Sequence, residues 1–152
     1  MRLSRESHAR VERFFREHRG EPGLRLPPVY VHAGPLARLL TGVSGGMSGI
    51  TFGRHVFVSP SLVRRDARGR ARVPSFLLVH EAAHVLQYEE RGFARFLLGY
   101  VGEYLRRLRA CGGWDARGRM AAYESIGVEC EARAAERAYE EWRAGAREPA
   151  HT

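Results

Sequence analysis

Residues 4–18 are mostly charged, yet Val11, Phe14 and Phe15 recur among them at helical spacing, which predicts an amphipathic helix laid on the domain and ended by the segment 20–23. Pro27 and Pro28 then lead into Val29-Tyr30-Val31, an extended entry followed by a short strand. Pro35 suits the first turn of a brief helix over 35–40. From Thr41 to Gly49 the chain is rich in Gly and Ser and predicts a loop or tight turn. Residues 50–58 are β-branched and aromatic around a central Gly53-Arg54, so they read as two short strands or one bent strand, closed by Pro60.

The second half is helical in pattern. Pro74 and Ser75 open a helix that runs to about Arg91 and is bounded by Gly92. Phe93, Phe96, Leu97, Tyr100, Val101, Tyr104, Leu105 and Leu108 repeat at spacings of three and four, a long amphipathic helix stopped by Cys111-Gly112-Gly113. A last helix is expected over 126–143, with a start that could reach back to Arg119 and an interruption at Gly127; Val128, Ala132, Ala135 and Tyr139 would turn inward. The expected organisation is one domain over 1–152, with an N-terminal helix at 4–18, a core at 24–144 and a flexible tail at 145–152. Its class is α+β: three or four helices and a small sheet.

Composition adjusts this picture in three places. The 152 residues carry a net charge of +8, which invites a nucleic-acid partner. However, every basic residue is Arg and they are scattered; the densest group, Arg64, Arg65, Arg68, Arg70 and Arg72, falls in an expected loop ahead of the central helix. Two cysteines, Cys111 and Cys130, make no disulfide framework and no C-x-x-C pair, so reduced thiols are expected. The charged N-terminus lacks the apolar stretch of a secretory signal, and no segment approaches the roughly 20 apolar residues of a membrane span. A cytoplasmic location is the expectation, with non-classical export still compatible.

The chemistry sits in the helix opened by Pro74. His80-Glu81-Ala82-Ala83-His84 matches H-E-x-x-H. Residues four apart project from one helix face, so both imidazoles can bind a single zinc ion at about 2.0–2.1 Å. Glu81 then faces the open coordination position, where it can act as general base on water and later protonate a leaving amine. Phe76-Leu77-Leu78-Val79 before the motif and Val85-Leu86 after it argue against an exposed helix; hydrogen-bonded core histidines are the other alternative. A catalytic zinc takes three protein ligands. The elongated motif would need Gly at 87 and His at 90, where this chain has Gln87 and Glu90. Glu129, in an E-x-x-A pattern with Ala132, is the candidate third ligand, and Glu131, Glu136 and Glu124 compete with it.

Three blocks together carry a family likeness: Gly49-Ile50-Thr51-Phe52-Gly53, His80-Glu81-Ala82-Ala83-His84-Val85-Leu86-Gln87, and the segment from Tyr123 to Ala132. Over roughly residues 45 to 137 the chain resembles gluzincin-type bacterial metallopeptidase-like domains, including core domains found near contractile injection systems and toxin loci. The resemblance implies a zincin-like fold with the short sheet packed against the H-E-x-x-H helix. It also implies Zn2+ as cofactor, His80, His84 and Glu129 as ligands, and Glu81 as base.

Around this centre, Gln87 is either a partner of a ligand or a helix-packing amide. Tyr123 could donate to an oxyanion or simply pack. The strand with Thr51, Phe52 and Gly53 could align an extended peptide by β-augmentation, while His55 reads as a surface residue. The leading expectation is a zinc-dependent metallopeptidase acting on a peptide or protein. The alternatives are a non-catalytic binding or assembly module on the same fold, and a nucleic-acid-associated protease tethered through Arg64–Arg72. Oligomeric state is not legible.

Overall fold

In the computed structural model, which describes residues 2–43, 47–65, 71–112 and 114–145, Ser4 caps the first helix, α1 (Arg5–Arg19), by accepting from the Ser7 amide at 3.1 Å. Val11, Phe14 and Phe15 form its buried stripe, and the Phe14 ring meets Tyr139 edge-on at 5.2 Å. Burying each such ring contributes about 1.5–3 kcal/mol, which fixes α1 on the domain despite its charged outer face.

A three-stranded sheet follows, built from β1 (Tyr30–His32), β2 (Gly49–Phe52) and β3 (His55–Val58) in the order β1-β3-β2. β1 runs parallel to β3, and the crossover between them contains α2 (Pro35–Val43). β2 and β3 form an antiparallel hairpin with Phe52 opposite His55. Gly53 occupies the first central position of the two-residue turn at φ 57°, a conformation that side-chain-bearing residues avoid and that a II′-type hairpin requires. The N-terminal segment shields the outer edge of β1 through Arg2 and Tyr30, leaving β2 as the other edge, next to the central helix.

That helix, α3 (Ser75–Arg91), is buried over most of Leu77–Tyr88 and packs most extensively on α6 (Gly127–Gly145). Ala82 and Ala83 on one helix and Ala132 and Ala135 on the other are small enough for the two backbones to approach closely. Val128, Ala132, Ala135 and Tyr139 are the buried face of α6, as their spacing predicts. Valines of β1 and β3, Leu78, Val79, Val85 and the α1 rings complete one core; Tyr88, Phe96, Ile126 and Val128 form a second, smaller one.

The fold departs from the expected one in four ways. Six α-helices are present among the described residues instead of three or four. The expected last helix is two: α5 (Ala116–Glu124), capped by Asp115, and α6, separated at Ser125-Ile126 because Ile126 is drawn wholly into the second core. Thr41 begins no loop, since α2 continues through it and the Thr41 hydroxyl donates to the Ala37 carbonyl at 2.8 Å. The Arg-rich stretch contains β4 (Arg64–Arg65) and β5 (Ala71–Arg72), paired antiparallel, in place of a plain loop. Arg68, Arg70, residues 44–46 and the tail from 146 onward lie outside the described residues.

α4 (Phe93–Ala110) follows α3 directly at Gly92. Of its apolar repeat only Phe96 and Leu108 are fully buried; Phe93, Val101 and Leu105 remain exposed, as does Leu98 at 74%. The apolar arc of this helix is wider than the surface that its neighbours offer. No helix among the described residues is long and apolar enough to cross a membrane.

Candidate metal centre

Helix geometry puts His80 and His84 on the same face of α3, and packing turns that face towards α6. The two rings stand 5.0 Å apart at 78°, so neither nitrogen of one is satisfied by the other. Glu129, in the first turn of α6, points between them: its Oε2 lies 3.4 Å from His80 Nε2 and its Oε1 lies 3.5 Å from His84 Nε2. One ligand atom from each of the three residues falls within 4.8 Å of the others. Glu129 is 3% exposed, and its Oε2 accepts no hydrogen bond from any described residue. A buried carboxylate oxygen without a donor is costly unless a cation completes it. Two imidazoles and one carboxylate are the donor set of a catalytic zinc site, so the residues present fit that ion.

The surroundings orient each of these three side chains. Gln87 Oε1 lies 2.8 Å from His84 Nδ1, while the Gln87 amide donates to the Val128 carbonyl at 3.2 Å and to Glu131 at 2.8 Å. That fixes the His84 ring with Nε2 towards Glu129. Glu136, two turns beyond Glu129 on α6, places Oε2 3.4 Å from His80 Nδ1. The Tyr100 hydroxyl donates to Glu129 Oε1 at 2.9 Å, and the Tyr123 hydroxyl lies close enough to support the same charge. Burial pushes the Glu129 carboxyl up, but His80, His84 and Tyr123 together outweigh it and hold the group well below the usual carboxylate range. Burial likewise pulls His84 down, yet Glu129, Glu81 and Gln87 leave it raised. Both tyrosines are raised, first by burial and then by the Glu129 charge, and so remain neutral donors.

Glu81 sits one residue past His80 and is 3% exposed. Its Oε2 accepts from the Thr51 hydroxyl at 2.6 Å, and a Cβ on Gly49 would overlap its Oε1, so a side chain at that position would displace the Glu81 carboxylate from this pose. Burial raises the Glu81 carboxyl, against His84, His80 and the Thr51 bond, which lower it. His80 and Glu81 open onto a cleft of about 310 Å³ together with Gly49, Phe76, Met120 and Tyr123.

No protein-family model, curated protein or solved structure matches this chain. The chemistry of the site therefore rests on its own residues.

Among the carboxylates that compete by sequence, Glu129 is the one placed between the two rings. Glu131 is exposed and engages Gln87 and Arg91, Glu136 stands behind His80, and Glu124 is exposed with its carbonyl accepting from Cys130 and Arg133. Of the strand residues, Thr51 is turned inward onto Glu81, Phe52 is 38% exposed and Gly53 forms the turn. His55 is exposed. Tyr100 escaped notice in the sequence because it sits within the apolar repeat of α4; a hydroxyl one turn after the buried Phe96 is the signal that could have marked it. The role of Thr51 was equally hidden, since nothing in the strand pattern says which carboxylate its hydroxyl meets.

Proposed function

We propose that this chain is a zinc-dependent metallopeptidase with a zincin-like fold, cutting peptide bonds with Glu81 as general base. The observation that carries the reading is the buried Glu129 carboxylate held between His80 and His84, with its Oε2 accepting no hydrogen bond, beside a second buried carboxylate outside the three-residue group. A protein that needed only to hold a metal would have no use for Glu81.

When bound, zinc would polarise the scissile carbonyl and bring the pKa of water towards neutrality. The chain's own residues do the rest. Glu81 removes a proton from the attacking water and, being raised by burial, holds it long enough to deliver it to the leaving amine. Thr51 keeps one carboxylate oxygen of Glu81 occupied and thereby leaves the other for this traffic. Gln87 and Glu136 hold the ligand rings in place, and β2, the end strand of the sheet beside Glu81, offers backbone groups to an extended substrate.

The test is metal content followed by turnover. Purified wild-type protein should carry about one zinc per chain, Glu131→Ala should retain it and Glu129→Ala should lose it. In a peptide-library digest, Glu81→Gln should keep its zinc and lose on the order of 10²–10⁴ in rate. Wild-type turnover in the Gln variant would overturn the mechanism. Bound zinc with no cleavage by wild type would leave the binding-module reading in its place.

A further inference from the structure

We propose that the outer face of α4 is a membrane-docking surface, by which the chain lies along an anionic lipid bilayer without crossing it. The inference stands apart from the peptidase reading and uses no residue of the metal centre.

The face is built on one stripe. Ala94, Leu98, Val101 and Leu105 follow one another at spacings of four, three and four, so they share one side of α4 and extend over about 17 Å. All four are exposed, and Leu98, at 74%, is more so than any other large apolar side chain among the described residues. Phe96, Tyr100 and Tyr104 point the other way, into the smaller core, so the stripe is not the side that holds α4 on the domain. An exposed aromatic residue stands at each end: Phe93 just before Ala94, and Trp114 past the end of the helix. The Trp114 carbonyl accepts from Arg119 at 2.6 Å, while its side chain faces solvent.

Charge decides what can cover this face. Between Gly92 and Ala121 the chain has six arginines and only two acids, Glu103 and Asp115. Both acids are engaged: Glu103 pairs with Arg107 at 3.3 Å and accepts from the Gly127 amide at 3.2 Å, and Asp115 caps α5 through the Gly118 amide at 2.7 Å. Arg95 and Arg106 flank the stripe and Arg109 continues it into the last turn; all three are exposed, and none pairs with a described carboxylate. An apolar stripe with an uncompensated basic rim is complementary to a surface that is apolar within and anionic at its boundary. A bilayer with acidic headgroups has that layering: the leucines and valine enter the acyl boundary, the guanidinium groups meet phosphate and carboxylate, and the tryptophan sits at headgroup level. A second copy of the chain would instead set the same arginines against one another. Since α4 is not apolar enough to cross a membrane, it lies in the plane of the surface.

Vesicle sedimentation tests this on the full chain. Phosphatidylcholine vesicles with about 30 mol% phosphatidylserine should bind it at least about tenfold more tightly than phosphatidylcholine alone, and added salt should weaken the binding. Tryptophan emission should shift to the blue on binding, a shift that Trp114→Phe removes. Leu98→Glu should lower affinity for the mixed vesicles by more than about tenfold, because it puts a charge where an apolar group enters the bilayer. Arg109→Gln should lower it about fivefold. Leu39→Glu, at a 60% exposed position on α2, should leave it unchanged. All three substitutions are at exposed positions, and an unchanged Tm confirms that each variant is folded. Equal binding to neutral vesicles, full binding by Leu98→Glu, or a loss in Leu39→Glu as large as in Leu98→Glu would overturn the inference. Self-association without vesicle binding, abolished by Leu98→Glu, would give the face to a second copy and overturn it as well.

Discussion

Two histidine pairs in this molecule have nearly the same spacing and opposite chemistry. The rings of His32 and His55, on neighbouring strands β1 and β3, are 5.2 Å apart; those of His80 and His84, one helical turn apart on α3, are 5.0 Å apart. On the sheet the pair closes on itself, with His32 Nε2 and His55 Nδ1 sharing a hydrogen bond at 3.0 Å, and each ring stacks on an aromatic neighbour, Phe57 or Tyr30. On the helix the rings are tilted at 78° and a buried carboxylate stands between their nitrogens. Proximity of imidazoles is common to both pairs. A third anionic donor, burial and an outer partner for each ring are what the helix pair adds, and they are what fits the proposed metal.

The sharpest way to break this contrast is to remove one ring from each pair. His84→Ala should weaken zinc binding by more than about a hundredfold, because a ligand is lost and Glu129 is left buried with one fewer partner. His55→Ala should leave zinc affinity within about twofold. Competition with a chromophoric chelator measures both, and comparable losses would mean that the sheet pair takes part in binding. Next in size is the stability lent by the ion. With free zinc at 100 times its Kd, wild type should gain about 2.7 kcal/mol against unfolding, lost on chelation. Glu129→Ala should show no such gain, and a zinc-dependent Tm in that variant would place the ion elsewhere. Smaller again is the effect of the outer partner. Gln87→Ala should cost about 10–100-fold in zinc affinity, since Gln87 Oε1 is what orients His84. An unchanged affinity would reduce Gln87 to a packing amide.

Much of this contrast was legible in the chain and part of it was not. Local rules sufficed where one element decides the outcome: the α3 boundaries at Ser75 and Gly92, the inward face of α6, and the two histidines on one side of a helix; at Gly53-Arg54 they left two short strands or one bent strand, and pairing makes it a hairpin. What depended on two elements meeting was out of reach. Spacing nominated Glu129 but could not exclude Glu131 or Glu136, which differ from it in which way α6 rolls against α3, nor Glu124, which ends the separate helix α5. The break at Ser125-Ile126 was placed slightly off at Gly127, since its cause is burial of Ile126 in a core made by other helices. The exposed side of α4 was invisible for the same reason: a periodic apolar face announces a helix, while its neighbours decide how much of that face is covered.

The smallest effect tests the sheet pair alone. The His32 pKa lies below the ordinary 6.5, first because the ring is partly buried and then because positive charge, including that of His55, opposes its protonation. A base whose pKa is depressed in the fold is held neutral there. Its contribution to stability is complete above the ordinary value and fades as the pH falls through 6.5 towards the folded-state value. His55→Ala removes the opposing ring but not the burial, so the His32 titration followed by NMR should move upward without reaching the ordinary value. The acid limb of the stability profile should flatten slightly. The pH dependence of zinc affinity, set by protons competing for His80 and His84, should not move. An unshifted His32 would show that the two rings do not sense each other, and a shifted zinc profile would show that the two pairs are coupled.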